Sequence, residues 1–205
     1  MAVPQRGVGG VVDETMTHSP HGNYLDRLMR RQSFQALWPL FALADKPAKE
    51  LTESFSALVH LRDHLPRVGP CRVIHVGDGA HARTAALFAL KTKADNISVD
   101  PEINERRVAD WRDRFGIERF SWHRGRIETL TDTLDALPRM PTLVTFVHAH
   151  VHVDTVLDSL RYNAAFTLAC CSPASQLTSR HRIAEEGEDP GVLSSHRRFQ
   201  VLLAG

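Results

Sequence analysis

The stretch "CRVIHVGDGAHARTAALFAL", residues 71–90, joins a short apolar run to an alanine-rich helical pattern through two glycines. Because glycine has no Cβ, the backbone at Gly77 and Gly79 can adopt a positive φ, and a ligand can approach it closely. The helix that follows would offer unpaired backbone N–H groups at its first turn. The stretch therefore predicts a strand, a tight corner and a helix, with a ligand site at the corner.

The same order of strand and helix is repeated along the rest of the chain. Helical patterns separate short β-rich runs, and the connections are brief, which is typical of parallel strands joined by crossover helices. We therefore predict an α/β fold with a doubly wound, mostly parallel, Rossmann-like sheet. The runs are "NISVD" (96–100), "RFSWHRG" (119–125), "PTLVTFVHAH" (141–150), "AAFTLACCSP" (164–173) and a last strand in "RRFQVLLAG" (197–205).

The N-terminal third has a different character. Residues 1–22 contain Gly, Pro, Ser and Thr without periodicity and are predicted to be flexible. Residues 23–69 show two helical patterns, one from Tyr24 and one from Leu51 to just before Pro66, and predict a helical cap. Residues 70–205 then form the cofactor-binding core, and the whole chain is predicted to be a single domain.

Composition excludes several classes of protein. The 25 basic and 24 acidic residues give a net charge of +1, which argues against a large basic face for nucleic acid. Apolar runs end well before the roughly 18 residues of a membrane span, and the N-terminus has no secretory pattern. Three cysteines without zinc-finger spacing favour a reducing, cytoplasmic setting.

The order of signals after residue 71 resembles class I S-adenosylmethionine-dependent methyltransferases. In that family, a strand ends in a Gly-x-Gly corner that packs against the cofactor, here Gly77, Asp78 and Gly79. An acidic residue at the end of the next strand takes the ribose hydroxyls. Asp100 matches it and lies 100 − 77 = 23 residues on, close to the roughly 20 expected for a ribose-binding acid. The resemblance covers residues 71–173 and implies S-adenosylmethionine as cofactor.

The resemblance also implies a wider cofactor site. A position after the third strand contacts the adenine, and "HRGRIETL" places Arg126 and Ile127 there. Two residues depart from the family pattern: His75 stands where an acidic residue is usual, and His81 stands where a third glycine is frequent. The implied cofactor contacts are His75, Gly77, Asp78, Gly79, Ala80, His81, Asp100, Pro101, Arg126 and Ile127.

Two other interpretations of the corner stay open. The glycines alone can make a tight turn, with Asp100 capping a helix that Pro101 begins. The spacing also fits a dinucleotide-binding Gly-x-Gly-x-x-Gly/Ala pattern, since Ala82 occupies its last position.

Three histidines stand at alternate positions in "FVHAHVHVD", residues 146–154. If the strand continued, His148, His150 and His152 would share one face near the corner. Neutral imidazole is a suitable general base, so His148 and His150 are candidate catalytic residues. Alternating histidines also occur in metal-dependent hydrolases, but we favour a cleft without metal. No acceptor-specific motif is present, so a small molecule or RNA as acceptor and a catalytically inactive binding protein all stay open.

Overall fold

The computed structural model describes residues 23–30, 34–169, 171 and 173–205, so the predicted flexible segment 1–22 lies outside the described residues. Seven strands form one sheet in the order β3-β2-β1-β4-β5-β7-β6. Strands β1 to β5 are mutually parallel, whereas β7 is antiparallel to both β5 and β6. The predicted doubly wound, mostly parallel sheet is confirmed. The strands are β1 (Arg72–Val76), β2 (Asp95–Asp100), β3 (Phe120–Arg124), β4 (Thr142–Val147), β5 (Ala164–Leu168), β6 (Arg182–Glu188) and β7 (Arg198–Leu203).

The helices differ from the sequence prediction in two places. The cap contains three helices rather than two, and α3 begins at Pro47, where a proline at the first turn lacks only an N–H that would be unpaired anyway. Helix α5 begins at Glu105 rather than at Pro101, because the Asn104 side chain caps it by accepting a hydrogen bond from the Arg107 N–H at 3.1 Å. The helices are α1 (Tyr24–Met29), α2 (Phe34–Phe41), α3 (Pro47–Leu61), α4 (Arg83–Lys91), α5 (Glu105–Phe115), α6 (Thr131–Asp135), α7 (Val153–Ser159) and α8 (Pro173–Gln176).

The sheet is buried on both faces because alternate strand residues contact different layers of helices. On β1, Val73 belongs to the apolar cluster formed with α1 to α5, whereas Ile74 belongs to the cluster formed with α6 and α7. The covering of both faces explains why β4 and β5 are apolar at most positions. Among the described helices, even the longest, the 15-residue α3, is too short and too polar to cross a membrane.

Strand order reverses at β1, whose two neighbours are β2 and β4. Open α/β sheets bind ligands beyond the carboxyl ends of their strands at such a reversal. The corner that contains Gly77 and Gly79 follows the carboxyl end of β1. The fold therefore places the predicted ligand site at the position where this architecture supports one.

A buried carboxylate, that of Asp189, connects the helical cap to the C-terminal part of the sheet through hydrogen bonds. Asp189, which follows β6, accepts hydrogen bonds from Tyr24 Oη (2.9 Å), Ser56 Oγ (2.5 Å) and the Gly191 N–H (2.8 Å), and His60 Nε2 lies 3.2 Å away. Burial raises the pKa of Asp189, but these hydrogen bonds outweigh it and hold the pKa below 3.8. Burial lowers the pKa of His60, but hydrogen bonds to Asp189 and Glu185 leave it above 6.5.

These shifts predict how stability depends on pH. The His60 contribution is complete below its unfolded pKa and is lost as pH rises through its higher folded pKa. The Asp189 contribution is complete above its unfolded pKa and is lost as pH falls through its lower folded pKa. We expect Asp189→Asn to reduce the free energy of unfolding by about 3 kcal/mol at pH 6 and to flatten its decline above pH 6.5. Urea unfolding between pH 4 and 9 measures this.

Glu188→Gln is the matched control, because Glu188 is exposed and pairs with Arg197 only at the surface. Its expected effect is below about 0.5 kcal/mol. An Asp189→Asn protein with the stability and pH profile of the control would contradict the role given to this network.

Candidate functional site

A cavity of about 730 Å³ lies beyond the carboxyl ends of β1, β2 and β4. The β1–α4 corner, the end of β2, residues 125–128 and residues 147–151 form its walls, and α3 of the cap closes one side. Its volume lies within the roughly 300–1,000 Å³ usual for small-molecule sites. The predicted site residues that line it are Gly77, Asp78, Gly79, Ala80, His81, Asp100, Pro101, Arg126, Ile127, His148 and His150.

The two glycines of the corner have different surroundings. Both have positive φ, 69° at Gly77 and 72° at Gly79. A Cβ on Gly77 would lie 2.7 Å from both Cα and Cβ of Ala149, so this position must be glycine for the corner to pack against the loop after β4. A Cβ on Gly79 would meet nothing within 4 Å, and Gly79 lines the cavity.

The Asp78 carboxylate supports the corner itself. Its Oδ1 accepts a hydrogen bond from the Thr84 N–H (2.8 Å), and its Oδ2 accepts from the Ala85 N–H (2.9 Å) and from Ser98 Oγ (3.2 Å). Burial raises the pKa of Asp78 to about 6, although these hydrogen bonds lower it in part. The side chain thus caps the start of α4, whose N-cap residue Ala82 has no side-chain acceptor.

Asp100 lies at the end of β2 and is buried. Its Oδ2 accepts a hydrogen bond from the Gly79 N–H (2.9 Å), and its Oδ1 accepts from the Glu102 N–H (2.7 Å). The carboxylate therefore holds Gly79 in place and orders the turn after β2. It does not cap a helix begun by Pro101, since α5 starts later. Each carboxylate oxygen has a further lone pair that can accept a hydrogen bond from a ligand.

The segment after β3 closes the other end of the cavity. Gly125 donates a backbone hydrogen bond to the Asp100 carbonyl (3.2 Å), which fixes this segment beside the end of β2. Ile127 is buried and Arg126 is exposed. Both line the cavity on the side next to Asp100.

His75 requires a correction to the sequence interpretation. It lies within β1, outside the cavity lining, with 1% of its surface exposed. Nδ1 lies 2.9 Å from Thr145 Oγ1, and Nε2 lies 3.1 Å from Asn96 Oδ1. Burial lowers the pKa of His75 to about 4, so the ring is neutral. Its two contacts link β1 to β4 and β2. We therefore leave His75 out of the cofactor contacts, because both of its nitrogens are used by neighbouring strands.

His81 turns toward α5. Its ring stacks on Trp111 with centroids 5.6 Å apart, and its Nε2 lies 3.0 Å from an Arg107 nitrogen. Burial, Arg83 and Arg107 lower its pKa. The His81 side chain is thus packed on a neighbouring helix at the edge of the cavity.

Of the three histidines, His148 is the one that contacts charged side chains of α3. It has a positive φ of 57°, which is uncommon outside glycine and directs it away from the course of the strand. Its Nε2 lies 2.6 Å from Glu53 Oε1 and 3.0 Å from Lys49 Nζ. Lys49 Nζ in turn lies 2.9 Å from the same carboxylate oxygen. We refer to Lys49, Glu53 and His148 as the cap triad.

The other two histidines are placed differently. Strand β4 ends at Val147, so the strand does not continue through the three histidines and they do not share one of its faces. His150 lines the cavity, and its Nε2 lies 3.6 Å from Cys171 Sγ. His152 is the N-cap residue of α7 and is outside the lining. Within the part of the chain that the structure describes, no group of three His, Cys, Asp or Glu side chains is arranged to hold a metal, and Cys170 lies outside that part.

Sequence reasoning missed Lys49 and Glu53. They stand on α3, 100 − 49 = 51 and 100 − 53 = 47 residues before Asp100, in a segment that the periodicity identified only as a helix. One signal was available: Lys49 and Glu53 have the i, i+4 spacing of a helical ion pair. The burial of Glu53, whose side chain is 1% exposed, depends on packing against the sheet and has no counterpart in local sequence.

Comparisons with known proteins give a fold but no family. No family model matches the chain, and no curated protein matches it. Several solved structures do. A mutant of MtNAS in complex with S-adenosylmethionine has a TM-score of 0.51 at 13% identity, over 88% of this chain and 74% of that one. The same MtNAS mutant in a second structure gives a TM-score of 0.50 at 13% identity, over 82% and 69%.

An rRNA methylase from Streptococcus thermophilus also matches, with a TM-score of 0.49 at 14% identity, over 75% of this chain and 95% of that one. At these identities, the likeness to MtNAS establishes a shared Rossmann-like fold and nothing about the reaction. It confirms the fold that the resemblance to class I methyltransferases implied.

Proposed function

We propose that the protein binds S-adenosylmethionine in the 730 Å³ cavity and transfers its methyl group to an acceptor. One observation carries the proposal: a buried carboxylate at the end of β2 hydrogen-bonds to a glycine that lines the same cavity. A carboxylate accepts two hydrogen bonds from a vicinal diol, and bare backbone accommodates the rest of a nucleoside cofactor. The MtNAS structure with this cofactor has the same fold and supports the choice of ligand.

The residues present fit the group. Asp100 would take the ribose hydroxyls, Arg126 and Ile127 would contact the base, and Gly77 and Gly79 would lie against the amino-acid part. Ala80, His81 and Pro101 complete that wall. When bound, the cofactor supplies an electrophilic methyl group on a sulfonium.

We propose that the cap triad accepts the proton that the methyl acceptor releases. Lys49 Nζ and His148 Nε2 are both within 3.0 Å of Glu53 Oε1 and of one another. The Glu53 carboxylate, 2.6 Å from His148 Nε2, would stabilise a protonated imidazole. His148 is therefore our candidate for the general base that takes the proton of the methyl acceptor. Glu53, whose side chain is 1% exposed, acts as a positioning residue behind the two half-buried groups.

The lining favours a small polar acceptor over a nucleic acid. Among the described residues that line the cavity there is no Phe, Tyr or Trp on which a base could stack. The lining carries charges of both signs instead. Beside the cap triad, Arg83 lies 2.6 Å from Glu50. The three cysteines of the chain, which lack zinc-finger spacing, support a reducing, cytoplasmic setting.

Calorimetry with S-adenosylmethionine tests the proposal. We expect saturable binding in the micromolar range to one site, with weaker binding of NAD. Stronger binding of NAD would favour the dinucleotide interpretation, and no heat with either ligand would contradict the proposal. Transfer of a labelled methyl group to a panel of amines, hydroxy acids and RNA then separates an enzyme from an inactive binding protein.

The cap triad gives a prediction for the same assays. We expect Glu53→Gln to leave cofactor affinity within about threefold of wild type while methyl transfer falls by roughly 10²-fold, as removal of general base assistance does. The pH profile of the residual rate should shift, because an amide cannot stabilise a protonated His148. The control is Glu50→Gln, which loses a charge at the same cavity but touches neither Lys49 nor His148 in the contacts described. Equal losses in both variants would contradict the assignment.

A further inference from the structure

A second cavity, also of about 730 Å³, lies at the opposite edge of the sheet. It is formed where α1, α3 and α4 meet the segments that precede β1 and β2. Cys71 and Ala94 immediately precede those strands, whereas the cofactor cavity lies beyond the strands' other ends. The two cavities therefore do not share a ligand. We call this one the basic cavity.

Its floor is apolar. Leu28, Phe55, Cys71 and Ala94 are buried there with at most 8% of their surface exposed, and half-buried aliphatic side chains of α3 continue the floor toward solvent. At the mouth, Val68 has 90% of its surface exposed in the loop between α3 and β1. Val68 thus extends the apolar lining of the cavity to its mouth.

The rim of the basic cavity has one sign of charge. Among the described residues, no acidic side chain lines it. The five basic side chains that line it are Arg27, Arg62, Arg67, Lys91 and Lys93. Arg62 has an exposed ion pair with Asp63, and Arg27 lies over the Tyr24 ring. Arg67 and Lys93 are exposed and have no ion pair with any residue that the structure describes. This excess is local, since the whole chain is nearly neutral.

We propose that the basic cavity binds a free amphipathic anion, a molecule with one aliphatic chain and a carboxylate or phosphate head. The apolar floor would take the chain, because burial of each methylene group stabilises binding. The rim would take the head, with guanidinium groups as bidentate partners. A cavity of this volume holds a molecule of medium chain length, and apolar walls with a few charged groups are typical of such sites.

Calorimetry of the full-length protein with decanoate, below its micelle concentration, tests the proposal. We expect saturable binding that S-adenosylmethionine does not displace. Arg67→Glu/Lys93→Glu should weaken binding at least tenfold, and Val68→Ser several-fold. Arg106→Glu is the control, because Arg106 is exposed on α5 and outside both cavities. We expect it to bind decanoate like the wild-type protein.

Two control ligands separate the contribution of the aliphatic chain from that of the negative charge. Acetate should bind at least 100-fold more weakly than decanoate, and decyltrimethylammonium should not bind. Binding of anionic phosphatidylglycerol vesicles without binding of free decanoate would overturn the proposal in favour of a membrane surface. Absence of any decanoate binding would overturn it outright. Neither result bears on the cofactor cavity, whose ligand is titrated separately.

Discussion

Asp100→Ala should weaken S-adenosylmethionine binding by about 100-fold, which corresponds to roughly 3 kcal/mol. The variant loses the carboxylate proposed to accept the ribose hydroxyls. It also loses the hydrogen bonds from the N–H groups of Gly79 and Glu102, so the glycine corner is less well held. Calorimetry measures the affinity, and thermal unfolding verifies that the variant is folded.

The control for this variant is Asp95→Ala. Asp95 begins the same strand, β2, but is exposed and lies at its opposite end. We expect its affinity for the cofactor to equal that of wild type.

A cofactor analogue that lacks the ribose 2′-hydroxyl separates the two roles of Asp100, which are recognition of the ribose and support of the glycine corner. Wild type should bind this analogue at least tenfold more weakly than S-adenosylhomocysteine, whereas Asp100→Ala should bind the two alike. An Asp100→Ala protein that still discriminates between them would contradict a direct contact between Asp100 and the ribose.

The two glycines of the corner should respond differently to the same substitution. Gly77→Ala combines a left-handed backbone with overlap at 2.7 Å against Ala149, so we expect a loss of roughly 2–5 kcal/mol in the free energy of unfolding. Gly79→Ala has the positive φ but open space, so we expect a loss of only about 1–2 kcal/mol. Urea unfolding measures both.

Cofactor affinity tests Gly79 separately. Gly79 lines the cavity and has room for a methyl group, which would occupy space beside the proposed cofactor, so Gly79→Ala should bind S-adenosylmethionine at least tenfold more weakly although it loses less stability than Gly77→Ala. Gly79→Ala with wild-type affinity would argue that the ligand does not approach the corner. Equal destabilisation by the two substitutions would contradict the packing described for Gly77.

The core of the fold could be predicted because its signals are local. An apolar run, a glycine corner and an alanine-rich helix follow one another at residues 71–90, and the structure has β1, the corner and α4 there. Strand β6 could not be predicted in this way. Its sequence "RIAEEGE" is almost fully exposed at the sheet edge, so burial imposes no apolar alternation on it.

The candidate site was predictable only in part. Gly77, Gly79 and Asp100 could be found because conformational freedom and a carboxylate at a strand end have meaning in the sequence itself. His75 could not be excluded from sequence, since its neutral, buried state depends on Thr145 and Asn96 in neighbouring strands. Glu53 could not be found for a similar reason, because tertiary packing brings α3 to the loop after β4.

The most direct measurement of the central claim is a crystal structure of the protein grown with excess S-adenosylmethionine. We expect electron density for the cofactor in the cavity beyond β1, with both ribose hydroxyls within hydrogen-bonding distance of the Asp100 carboxylate and the methyl group facing the cap triad. A cofactor bound elsewhere, or a cavity filled by the protein's own side chains, would contradict the account.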